Sequence, residues 1–154
     1  MSVSIRKILL AALVASVGLA GSARLAWAGL FSATGPVIAI LADELYVGEA
    51  IGHLSGAGTL AIHSQKSPAV SCVGQFTSSA LHGGVGKMSC TDGATATFKF
   101  KRLNIFRGHG DGNFSRGSMS FVYGLTHAQS EPYLKLPVGK KLAHNGTELT
   151  LVDL

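Results

Sequence analysis

From Tyr46 onward, short runs rich in β-branched and aromatic residues alternate with breaks at Ser55-Gly56, Ser67-Pro68, His82-Gly83-Gly84, Asp92-Gly93 and Arg116-Gly117. These are turn signals with a mechanism, since glycine takes positive φ without steric cost and Asp-Gly suits tight hairpins. Between the breaks polarity alternates with period two. Phe98 and Phe100 fall on one face of an extended chain while Thr97, Lys99 and Lys101 fall on the other, and Met119, Phe121 and Tyr123 likewise share a face. One apolar side at period two is the mark of antiparallel strands covering a core. The pattern predicts strands near 46–54, 58–64, 70–76, 84–90, 94–106 and 117–124, with 107–114 as a further candidate. Before them, Gly35-Pro36 breaks the chain, Val37–Leu41 is an apolar run suited to a buried strand, and Asp43-Glu44 marks a turn or a single helical turn. Thr126 is placed to cap a short helix, His127 to Leu134, which Pro132 limits to about two turns. Leu136–Lys141 reads as extended chain, and Leu149–Val152 as a final edge strand or a loose end. The expected fold is all-β: an antiparallel, glycine-rich meander forming a small sandwich or barrel, with one short C-terminal helix.

Glycine recurs in a second way. Gly-x-Gly elements stand at Gly56–Gly58, Gly84–Gly86 and Gly108–Gly112, unevenly spaced, and read as corners of one meander that reuse the same turn chemistry rather than as a repeat array. Gly48, Gly52 and Gly74 lie inside predicted strands, where they imply bulges, bends or close backbone approach.

The first 28 residues have a different character. Arg6 and Lys7 precede sixteen uncharged residues, Ile8 to Ala23, and Ala26-Trp27-Ala28 follows. A positive start, a short apolar stretch and small residues at −3 and −1 are the parts of a secretory signal, with cleavage expected after Ala28. The alternative is an uncleaved membrane anchor, for which the stretch is short against the roughly 20 apolar residues a span needs. The expectation is therefore one β-rich domain over 29–154, periplasmic or otherwise associated with a bacterial-type envelope. Setting Arg6, Lys7 and Arg24 aside lowers the formal net charge from +5 to +2 for 29–154, because 1–28 holds no acid. A weakly basic, exported domain gives no argument for nucleic-acid binding.

In an exported chain the only two cysteines, Cys72 and Cys90, are expected to pair, closing an eighteen-residue span; the alternative is two buried thiols. Three further constellations bear on chemistry. Gly108-His109-Gly110-Asp111-Gly112 could bring His109 and Asp111 to a metal or an anion, or form a flexible hairpin turn. The six histidines have no metal-ligand spacing. Lys99, Lys101, Arg102, Arg107 and Arg116, interleaved with phenylalanines, could form a basic docking patch for an anionic envelope surface or a membrane-associated protein complex; otherwise they are a solvated strand face. There is no G-x-S-x-G or H-E-x-x-H motif, and no cofactor is expected.

The runs Ala42–Ala50, Cys72–Phe76, Cys90–Gly93, Phe121–Thr126 and Tyr133–Pro137 resemble an uncharacterised family of small exported, often lipoprotein-like, proteobacterial β-domain proteins, over about residues 33–142. Some similar proteins carry a cysteine just before the stretch matching Ser32–Pro36; here Phe31 stands there. The resemblance implies turns, strand ends and a cysteine pair, and no catalytic residue. The functional expectation is a non-enzymatic envelope protein, a binding or accessory subunit docking on a membrane-associated partner. The alternatives are a small periplasmic hydrolase or metal-dependent enzyme using His109 and Asp111, and a β-barrel carrier of a small apolar ligand.

Overall fold

The computed structural model describes residues 32–79 and 81–154. The leader, its cleavage point and Phe31 lie outside the described residues. Eight strands follow one another: β1 (Ser32–Leu41), β2 (Glu44–His53), β3 (Ala57–Ser64), β4 (Ser71–Ser79), β5 (Gly83–Cys90), β6 (Thr95–Asn104), β7 (Arg107–Phe114) and β8 (Gly117–Tyr123). Each pairs antiparallel with the next, and β8 returns to pair with β1, closing an up-and-down barrel. The choice between sandwich and barrel is thus settled in favour of the barrel. After it come a helix α1 (His127–Ser130), a 3-10 turn (Glu131–Tyr133) and a hairpin of β9 (Lys140–Asn145) and β10 (Glu148–Asp153). Thr126 and Gln129 cap α1 reciprocally.

Several boundaries depart from the sequence expectation for physical reasons. Gly35-Pro36 is no break but lies within β1. Pro36 is tolerated because β8 has ended beside it: β8 pairs with β1 only over Val37–Leu41, so no partner strand needs the missing N–H. The expected strand 94–106 ends at Asn104, where a register shift between Arg102 and Asn104 leads into the turn at Ile105-Phe106. The Ala42-Asp43 turn is a two-residue hairpin link with both residues at positive φ, 46° and 67°.

The barrel is filled by its own side chains. Val37, Leu41, Ile62, Met88, Phe98, Phe100, Phe114, Met119 and Phe121 face inward and are buried. Large and small residues alternate around the wall: β4, β6 and β8 contribute Phe76, Phe98, Phe100, Phe121 and Tyr123, and the strands between them contribute inward glycines. A Cβ at Gly86 would stand 2.4 Å from Phe98 Cζ, and one at Gly110 would stand 2.5 Å from Phe121 Cζ. The Gly-x-Gly elements of β5 and β7 are therefore not corners, as the sequence reading has them, but the gaps into which neighbouring rings lie. Eight strands leave an interior just wide enough for side chains, and this alternation fits rings into it. The rings meet edge to face, Phe76–Phe100 at 5.5 Å, Phe100–Tyr123 at 5.7 Å and Phe98–Phe121 at 5.3 Å between centroids.

Cys72 and Cys90 are register partners on β4 and β5, both inside the barrel, with their sulfurs 1.98 Å apart as a disulfide. A second apolar cluster lies outside the barrel. Leu134, Leu142 and Leu149 from the C-terminal segment cover the outward faces of Ile38, Ile40, Leu45 and Val122. Ser120 Oγ accepts a hydrogen bond from Lys135 N, and Glu131 Oε1 accepts one from Leu142 N.

Candidate functional site

With the interior filled, the surfaces on which the molecule can meet another are the outer wall and the two ends. The outer wall of β3 to β7 carries Thr59, Val73, Gln75, Lys87, Ser89, Thr95, Thr97, Lys99 and Asn113, all exposed. Two adjacent rungs of these residues run across the strands in register: Glu49, Ala61, Val73, Ser89 and Thr95, then Ile51, Thr59, Gln75, Lys87, Thr97 and Asn113. They line an open groove of about 860 Å³, and a second depression of about 490 Å³ beside it holds Lys99, Asp111 and Lys135. The groove's lining is mostly apolar, with Ile51, Ala61 and Val73 exposed on it, and the Thr59, Gln75, Ser89, Thr95, Thr97 and Asn113 side chains place hydroxyls and amides among them.

Gly108–Gly112 is strand β7 rather than a hairpin turn. Its glycines face inward, and alternation turns His109 and Asp111 to the outer wall. His109 stacks on Tyr133, with centroids 4.4 Å apart and planes at 23°, while Asp111 lies 3.9 Å from Lys99 Nζ. No group of three or more His, Cys, Asp or Glu side chains stands at metal-binding distance among the described residues.

The five basic residues do not share one surface. Arg116 is at the lower end (the end of the β1–β2, β3–β4, β5–β6 and β7–β8 turns), paired with Asp92 at 2.5 Å. The Ala94 N–H and the Arg116 guanidinium hold the Asp92 carboxyl below the usual carboxylate range. Arg102 lies at the upper end and donates to Ser79 O, Ser78 Oγ and Ile105 O, so it ties the β4–β5 and β6–β7 turns together. Lys99 and Lys101 project from β6, and Arg107 opens β7 across from Asn104. Beneath Arg102, Tyr123 faces into the barrel with its hydroxyl buried and without a hydrogen-bond partner among the described residues. Burial pushes its phenol above the ordinary range.

Sequence reasoning passed over two features. The imidazoles of His127 and His144 meet at 3.0 Å, Nδ1 to Nε2, joining α1 to β9. Their separation of seventeen residues carried no signal. The other is the upper rim, where Leu54, Leu81, Ile105 and Phe106 are exposed at 80, 83, 62 and 59%. Its signal was present: each lies inside or against a turn whose neighbours are glycine or polar, where a large apolar residue has no core to enter. No helix among the described residues is long and apolar enough to cross a membrane. In comparisons with family models, curated proteins and solved structures, nothing matches this chain.

Proposed function

We propose that this chain is a non-enzymatic protein of the cell envelope, a binding or accessory subunit that docks on a membrane-associated partner, in keeping with the small exported proteobacterial proteins it resembles. The observation that carries this reading is the filled barrel. Phe76, Phe98, Phe100, Phe121 and Tyr123 occupy the interior, so recognition falls to the exterior, where the groove from Glu49 and Ile51 to Asn113 offers an open, mostly apolar face dotted with hydroxyl and amide groups. Shallow, open surfaces that mix apolar and polar groups suit protein partners better than small ligands, which need an enclosing pocket. The test is native mass spectrometry of the endogenous protein released gently from envelopes without reductant. The expected species is a chain cleaved after Ala28, two hydrogens light, inside a larger assembly. A chain flying alone from a periplasmic extract sinks the reading.

A carrier of a small apolar ligand is the second reading, favoured by the closed barrel and by the buried Tyr123 hydroxyl that lacks a partner among the described residues. A ligand reaching that hydroxyl would have to displace rings, and it would travel with the lone chain as added mass in the same experiment.

A further inference from the structure

We infer that the upper rim of the barrel is a peripheral membrane-docking surface that enters the headgroup region of an anionic bilayer. The inference rests on the docking reading and names what the rim meets; the outer wall then stays in water for a protein partner.

Topology brings the parts together. In an up-and-down barrel the β2–β3, β4–β5 and β6–β7 turns lie at one end, and these turns carry Leu54, Leu81 and the pair Ile105-Phe106. They form a continuous edge. Ser78 N donates to Gly56 O at 2.6 Å, Arg102 links Ser79 to Ile105, and Phe106 O lies so close to Gly124 that a Cβ there would approach it to 2.0 Å. Exposed large apolar side chains on several turns at once are what an interfacial surface requires.

Charge selects the lipid. Lys101, Arg102 and Arg107 stand at or just below this rim. None of the eight acids lies in the three rim turns or the strand ends that flank them; Asp43, Glu44 and Asp92 are at the lower end, and Glu49 and Asp111 lie within strands. An acid-free apolar edge with basic groups behind it complements negative headgroups, each basic group near such a surface contributing about 1 kcal/mol. The strand walls cannot themselves face hydrocarbon. Membrane barrels turn apolar residues outward, whereas here Thr97, Lys99 and Lys101 face out while Phe98 and Phe100 face in. Contact with lipid is therefore end-on.

The test reads depth at single positions in the processed chain, residues 29–154, which holds no tryptophan. A tryptophan is introduced either by Phe106→Trp at the rim or by Ser67→Trp at the lower end. Both proteins are reconstituted with phosphatidylcholine vesicles, with and without phosphatidylglycerol, whose acyl chains are brominated near the headgroup. Far-UV spectra and the intact disulfide confirm folding. The expected result is blue-shifted, bromine-quenched emission for Phe106→Trp in the phosphatidylglycerol vesicles, water-like emission for Ser67→Trp, and loss of the rim quenching on adding Lys101→Gln with Arg107→Gln. Water-like emission at position 106 in both vesicle types overturns the inference, as does equal quenching at 67 and 106. Equal quenching with and without phosphatidylglycerol overturns the anionic assignment. A rim that stays in water while the native assembly persists defeats this inference alone; a free periplasmic chain defeats the docking reading.

Discussion

Gly110 and His109 are neighbours on β7 and face opposite ways, and the difference decides what each is for. A Cβ at Gly110 would meet Lys99 O at 2.3 Å as well as the Phe121 ring, so neither the backbone nor the ring can yield without disturbing the wall. Gly110→Ala is expected to cost about 2 kcal/mol of stability, in the range of overpacked cores. His109→Ala, at the outer wall, should cost well under that. Urea denaturation of the two variants checks the contrast, and equal effects would mean that the glycines of this motif are not there for packing. Asp92 supplies a pH dependence. Its folded-state pKa is depressed, so its contribution is present above the unfolded carboxylate value and is lost as pH falls through the folded one. The stability gap between the native chain and Asp92→Asn should be widest near neutrality and narrow progressively as pH falls below about 4, the ordinary carboxylate value. A gap that does not change with pH would show that the Ala94 and Arg116 contacts do not favour the ionised form. At this scale the sequence was half legible. Alternation placed Phe98, Phe100 and Phe121 correctly, because period two is a local property. The glycines of β5 and β7 were misread as corners because their reason for being there is a ring on another strand.

At the scale of elements, β4 and β5 form the hairpin that the cysteines lock. Cys72 and Cys90 oppose one another and are buried, so the bridge both closes a loop in the unfolded chain and fills space inside the barrel. Breaking it with Cys72→Ala and Cys90→Ala should lower unfolding free energy by about 3 kcal/mol from loop entropy. Denaturation with and without reductant, compared with the double variant, measures it; no change on breaking the bridge would remove the disulfide from the account of stability. Most strands were legible here, since Asp92-Gly93 and Arg116-Gly117 announce hairpins from within their own residues. Pro36 misled because its tolerance depends on where β8 stops, 87 residues later at Tyr123. β9 was missed because Lys140–Asn145 shows no alternation strong enough to stand without β10 and the apolar strip beneath it. The rim of the candidate site was visible as misplaced apolar residues, but its continuity around three turns is a property of the closed meander.

At the scale of the whole molecule, a closed barrel has one seam that joins the chain's first strand to its last. Here that seam is short: β1 meets β8 only over Val37–Leu41 and Met119–Tyr123, whereas β1 meets β2 along the full strand. It is also the pairing with the largest separation in sequence, and so the costliest in loop entropy. The C-terminal segment lies across its outer face, with Leu142 and Leu149 over Ile38, Ile40 and Val122. Each buried leucine contributes about 1.5–3 kcal/mol, so the hairpin acts as a strap on the joint that local pairing holds least. Leu142→Ala should then loosen the seam before the rest. In amide hydrogen exchange, the strand amides of Val37–Leu41 and Met119–Tyr123 should speed up through local opening, while those of β4 and β5, beside the disulfide, stay close to the native rate. A uniform acceleration across all eight strands would mean that the hairpin stabilises the barrel only as a whole. The distinction matters for docking: the upper rim spans both sides of Gly124, where the seam ends, so a strap that holds the seam also holds the edge that meets the membrane.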